Sequence, residues 1–92
     1  MLLMLALSSG CQTSPPVQEM SDARQAIAVA RSAGAADKAA AELGEAEAFL
    51  DSAKRNLDQR SYSQARRDAL SAKQRALDAL AVAEAMSPAP PR

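Results

Sequence analysis

Apolar residues recur at alternating intervals of three and four in three stretches of the chain, and no stretch shows strict alternation. Such intervals place side chains on one face of an α-helix. The spacing predicts an all-α protein with helices at about 17–33, 38–59 and 62–86. The predicted core positions are Met20, Ala23, Ile27 and Ala30, then Ala39, Leu43, Ala46, Leu50, Ala53 and Leu57, then Tyr62, Ala65, Ala69, Ala72, Ala76, Ala79, Ala83 and Met86.

Residues suited to helix ends support these boundaries. Ser14 precedes a proline and is a candidate N-cap for the first helix, which Gly34 would end. Asp37 is a candidate N-cap for the second helix. Ser61 and Gln64 match the S-x-x-Q capping box, which marks the start of the third helix.

The connection between the second and third helices is short, which predicts that they pack antiparallel. The expected fold is an antiparallel helical hairpin with a shorter preceding helix, giving a three-helix, up-down-up arrangement. Its packing would be Ala-rich and coiled-coil-like, because the leucine seam of the second helix repeats in heptads and faces alanines.

A second apolar stripe on the third helix needs cover. It consists of Leu70, Leu77 and Leu80, beside the alanine seam. Ile27 and Val29 of the first helix would supply that cover. Otherwise the stripe is a surface for self-association.

The N-terminal segment differs in composition from the helical region. Met1–Leu7 is wholly apolar but far shorter than the roughly 20 residues of a membrane-spanning helix. It suits a secretory signal over residues 1–10, followed by small residues at a cleavage site. Cys11 opens a polar linker over residues 11–16, residues 17–86 form the helical domain, and residues 87–92 form a Pro-rich tail.

The segment Leu7-Ser8-Ser9-Gly10-Cys11 resembles the lipobox of bacterial lipoproteins. The resemblance implies cleavage between Gly10 and Cys11 and acylation of Cys11, which would anchor the chain to a membrane. Gln12, in place of Asp, implies sorting to the outer membrane on the periplasmic side, with the inner membrane as the alternative. Ser8 replaces the usual Leu, and no basic residue precedes the apolar run, which leaves a start upstream of Met1 open. The alternative is a buried cysteine in a cytosolic protein.

The region from about Met20 to Glu84 resembles the domain of unknown function 4398, which occurs in proteobacterial lipoproteins. The matching features are Ala33-Gly34-Ala35, Glu42-Leu43, Tyr62 and Ala65-Arg66-Arg67. The chain has Gln59-Arg60-Ser61 where members usually carry Gly at the second turn. The resemblance implies a location and a helical fold, but no established activity.

Composition argues against several function classes. The formal net charge is zero and only 2% of residues are aromatic, which argues against nucleic-acid binding. With no His and a single Cys, no Ser-His or Cys-His nucleophile can be assembled. The acidic residues Glu42, Glu45, Glu47 and Asp51 suit a solvated helix face, with pairs such as Asp51 and Arg55, better than a metal site. We therefore expect no enzyme activity, cofactor, metal or small-molecule substrate.

Basic residues concentrate near the second turn: Lys54, Arg55, Arg60, Arg66 and Arg67. If the first helix runs outward from the lipid and the second returns, this turn comes back toward the bilayer. These residues are therefore candidates for contact with an anionic surface; a solvated helix end is the alternative.

Two functions remain open. The first is a membrane-anchored lipoprotein of the bacterial envelope, whose non-catalytic helical domain is structural or binds an envelope protein or its own copies. The alternative is an accessory module that binds anionic lipid or peptidoglycan through the basic turn.

Overall fold

The computed structural model describes residues 14–87, which form four α-helices and, within that range, no strand. The helices are α1 (Val17–Ser32), α2 (Ala35–Lys38), α3 (Ala40–Asp58) and α4 (Tyr62–Ala85). The predicted all-α fold is confirmed. The one-turn helix α2 was not predicted from the sequence.

Several sequence predictions fall outside residues 14–87. They are the signal segment 1–10, the cleavage site between Gly10 and Cys11, the acylation of Cys11, and the tail from residue 88 onward. They stay predictions.

Contacts between charged side chains show how the three long helices run relative to one another. Glu45 on α3 lies 3.3 Å from Arg75 on α4, and the two helices run antiparallel from their short turn. Glu19 near the start of α1 lies 3.1 Å from Arg66 near the start of α4, so these two helices run parallel. The long helices therefore run up, down and up, with α4 packed against both others.

The core is a thin layer made mostly of alanine. Every predicted core position is buried except Leu57 and Tyr62, which are half-buried, and Met86, which is 61% exposed at the end of α4. Because most core side chains are small, the helix backbones can approach closely, and only a few larger residues lie in this core. They are Met20, Ile27, Leu43 and Leu50.

The predicted caps of the first two long helices are wrong. The N-cap of α1 is Pro16 rather than Ser14. Pro15 directly precedes a proline, which disfavours helical backbone angles at Pro15, so the helix begins after Pro16. Asp37 lies inside α2, where its backbone N–H donates to the Gly34 carbonyl at 3.1 Å. Gly34 has a φ of +88°, and this left-handed conformation ends α1 and starts α2 at once.

The capping box at the start of α4 is correct in position but not in its hydrogen bonds. Ser61 is the N-cap residue, yet its side chain forms no capping hydrogen bond. Gln64 instead donates to Asp68 at 2.9 Å and accepts from Arg67 at 2.6 Å. Its amide group is therefore engaged within α4 and does not reach back to Ser61.

Candidate functional site

The turn between α3 and α4 closes without glycine. The backbone N–H of Ser61 donates to the Asn56 carbonyl at 2.8 Å, and that of Arg60 donates to the Leu57 carbonyl at 3.0 Å. This pair of bonds is the Schellman motif, which requires a left-handed residue. Arg60 takes that conformation with a φ of +61° and is exposed at the tip of the hairpin.

Among the predicted basic residues, Arg66 is engaged by the fold. Its Nε lies 3.1 Å from Oε2 of Glu19, and its Nη2 donates to the Ser14 carbonyl at 3.1 Å. The Arg66 side chain is only 28% exposed. Arg66 therefore joins α4 to the start of α1 and to the residues before it.

Lys54 faces the groove between α1 and α3. Its Nζ lies 3.9 Å from Oδ1 of Asp51, at the limit of an ion pair, and it borders the groove together with Arg24 and Leu50. The predicted pair of Asp51 with Arg55 does not form, since Asp51 is nearest to Lys54.

Three arginines remain exposed around the hairpin tip: Arg55, Arg60 and Arg67. Within residues 14–87, none of the three has a carboxylate within ion-pair distance. Arg67 donates only to Gln64 Oε1 among described side chains. We refer to Arg55, Arg60 and Arg67 as the basic end.

A buried carboxylate lies directly behind the basic end. Asp68 is 6% exposed and accepts hydrogen bonds from Ser52 Oγ at 2.7 Å, Asn56 Nδ2 at 2.8 Å and Gln64 Nε2 at 2.9 Å. The burial of Asp68 was not predicted from the sequence. Its spacing of three residues after Ala65 and four before Ala72 places it beside the alanine seam and could have indicated burial.

The second apolar stripe is only partly covered. Leu70 is 50% exposed, Leu77 is 41% exposed, and Val29 on α1 is 47% exposed. Ile27 points into the core instead of covering the stripe. A groove of about 300 Å³ remains between α1 and α4, lined by Asp22, Gln25, Ala26, Val29, Lys73, Leu77 and Leu80.

The acidic residues of α3 are divided between two faces of the bundle. Glu45 pairs with Arg75 on α4, whereas Glu47 pairs with Arg31 on α1. They therefore do not converge on a common point. Over residues 14–87, no group of three or more His, Cys, Asp or Glu side chains is placed to hold a metal ion.

Residues 14–87 thus define a small all-α domain with a basic end at one hairpin and a half-exposed apolar stripe along α4. None of its helices is both long and apolar enough to cross a membrane. Residues 18–88 match the family model described as Domain of unknown function (DUF4398), and the chain belongs to this family. No curated protein and no solved structure matches the chain.

Proposed function

We propose that the protein is a lipoprotein of the bacterial envelope, held to a membrane through acylated Cys11. Its helical domain would be a non-catalytic structural or interaction module. The support for the anchor is the position of Cys11 behind Gly10, between an apolar run and a polar linker. Outer-membrane sorting on the periplasmic side is part of the proposal.

The observation that carries the interaction role is the apolar stripe on α4, in which Leu70 and Leu77 stay 50% and 41% exposed although Val29 of α1 lies beside it. Exposed apolar side chains that share one face are typical of surfaces that bind other proteins. Among residues 14–87, the exposed large apolar side chains include two leucines, Leu70 and Leu77, both on this stripe. The stripe therefore suits an envelope protein or a second copy of the chain.

Intact-mass spectrometry of the protein from membranes of an expressing bacterium tests the anchor. We expect a chain that starts at Cys11 and carries the added mass of a diacylglycerol and an acyl group. The Cys11→Ser variant should lack this mass and keep residues 1–10, because the lipobox resemblance implies that cleavage follows acylation of the cysteine thiol. An unprocessed wild-type chain in the soluble fraction would contradict the proposal.

The interaction role is tested on the detergent-solubilised protein by sedimentation and by chemical cross-linking in cells. Replacing both Leu70 and Leu77 with Gln should abolish self-association or the cross-linked partner band. The matched control replaces Ala41 and Ala48 with Gln, which are exposed on α3 and have the same spacing of seven residues. Equal behaviour of both variants and the wild type would remove the stripe from the proposal.

A further inference from the structure

The start of α1 and the basic end lie at the same end of the bundle. The contact between Arg66 Nη2 and the Ser14 carbonyl, 3.1 Å long, joins the start of α4 to the residue before the first prolines. Arg66 is adjacent in sequence to Arg67 and four residues after the start of α4. The chain therefore enters the domain beside the hairpin tip.

This position limits where an anchor on Cys11 can be. Cys11 precedes Ser14 by three residues, which span at most about 11 Å in any conformation. The opposite end of α4 is about 36 Å away, from 24 residues at about 1.5 Å each. An anchor on Cys11 therefore attaches near the basic end and cannot reach the other end.

The exposed charge differs between the two ends. Among residues 14–87, Arg55, Arg60 and Arg67 at the hairpin tip face one exposed carboxylate, that of Asp58. Glu19 is engaged by Arg66, and the Asp68 carboxylate is buried among neutral donors. The tip is thus positive.

The opposite end is acidic. Arg31, in the last turn of α1, is paired with Glu47 on α3. The other charged residues at this end are Asp37, Lys38, Glu42 and Glu84, which are three acids against one base. A domain with this polarity is oriented by a negative surface, which attracts the tip and repels the far end.

We propose that the basic end contacts the anionic headgroups of the membrane that holds Cys11, so that the bundle stands on its hairpin tip. This inference rests on the proposed anchor. Each arginine close to an anionic bilayer strengthens the contact on the order of fivefold, and the effect weakens with salt. The occupant is a lipid surface because the acyl anchor would keep the tip within reach of headgroups.

Fluorescence quenching in vesicles tests this contact. The chain contains no Trp, so a single Trp reports one position. Gln59→Trp places it at the tip, and Ala36→Trp places it at the exposed far end. The acylated, mature protein is reconstituted into vesicles of phosphatidylglycerol and phosphatidylcholine that carry a nitroxide on a fraction of headgroups.

We expect at least fivefold stronger quenching for Gln59→Trp than for Ala36→Trp. Adding Arg55→Gln, Arg60→Gln and Arg67→Gln together should reduce this difference to the smaller one that the anchor alone imposes, as should high salt or pure phosphatidylcholine. The control removes three exposed or half-exposed cations away from the tip, through Arg24→Gln, Lys38→Gln and Lys73→Gln, and should keep the difference.

Each adverse result has a distinct meaning. A protein that mass spectrometry shows to be acylated, but whose two Trp positions are quenched equally, overturns this inference and leaves the anchor intact. The inference is also overturned if the quenching of the two Trp positions differs by the same amount in neutral and in anionic vesicles. It is likewise overturned if the basic end binds isolated peptidoglycan while the two Trp positions are quenched equally in vesicles. A chain without acyl mass overturns the proposed function and this inference with it.

Discussion

Asn56 on α3 and Asp68 on α4 meet across the hairpin, with Nδ2 of the amide 2.8 Å from Oδ2 of the carboxylate. The same oxygen accepts from Ser52 on α3 at 2.7 Å. The buried seam of α4 is alanine at successive positions from Ala65 to Ala83, so it would present a similar surface to α3 if α4 slid along it. A buried carboxylate with partners at fixed positions does not tolerate that shift, since the partners would be lost. The network therefore selects one register for the hairpin.

Replacing Asp68 with Ala should destabilise the protein by about 2 kcal/mol. Hydrogen bonds to a charged group contribute about 1.5–3 kcal/mol, and the half-buried donors Ser52 and Asn56 would be left without this acceptor. Ala has a higher helix propensity than Asp, which offsets this loss of stability by about 0.6 kcal/mol at most. Urea denaturation followed by circular dichroism measures the change.

The control for Asp68 is Asp58→Ala, which removes an exposed carboxylate from the same end of the bundle. It should change the free energy of unfolding by no more than about 0.5 kcal/mol. Equal effects of the two substitutions would show that burial of Asp68 contributes nothing to stability.

Replacing Arg60 with Gly should stabilise the protein by about 0.5–1 kcal/mol. Arg60 has a φ of +61°, and a residue with a Cβ loses roughly 1–2 kcal/mol in the left-handed region. Gly is more flexible than Arg in the unfolded chain and loses more conformational entropy on folding, which reduces the stabilisation. Thermal or urea unfolding of the two proteins measures the difference.

Gly34→Ala is the reciprocal test and should destabilise the protein by about 1 kcal/mol. An added Cβ there meets only the Lys38 side chain, at 3.7 Å, so space is not limiting. The effect would therefore report the φ of +88° alone. A neutral Gly34→Ala together with a destabilising Arg60→Gly would contradict the account of both turns.

The sequence predicts the helices and the core well because both depend on local spacing. Intervals of three and four residues identify Leu43 and Leu50 as core positions without knowledge of the neighbouring helix. Gly34 is likewise interpretable from its conformational freedom. These features require no information about distant parts of the chain.

The features that the sequence interpretation missed depend on pairing between distant residues. Asp68 is buried because Ser52 and Asn56, on another helix, supply its donors. Arg66 forms an ion pair with Glu19, which is 47 positions earlier in the sequence, and is therefore not a free basic residue. Charge clustering along the sequence shows how many cations lie near a turn, but not which of them the fold engages.

Enlarging the alanine seam should destabilise the hairpin. Ala72 is fully buried in the core, so Ala72→Leu adds volume where the helices approach closely. We expect a loss of about 1–3 kcal/mol, since overpacked cores force backbone shifts. The control Ala81→Leu adds the same volume at an exposed position of α4 and should have little effect. Urea unfolding distinguishes the two, and equal stability would show that the seam is loosely packed.

The pair of Glu19 and Arg66 should couple α1 to α4 more strongly than a fully exposed pair does. Their side chains are 26% and 28% exposed, against 42% for Glu47 and 57% for Arg31 in the other inter-helix pair that α1 makes. Exposed pairs contribute about 0.2–1 kcal/mol, so partial burial places the first pair near the top of that range.

A double-mutant cycle with Glu19→Ala and Arg66→Ala isolates this coupling, because the Arg66 bond to the Ser14 carbonyl is lost in both arms that contain Arg66→Ala. The same cycle on Glu47 and Arg31 should give less than about 0.5 kcal/mol and a larger relative loss in high salt. Equal coupling energies would show that the partial burial of Glu19 and Arg66 does not strengthen their interaction.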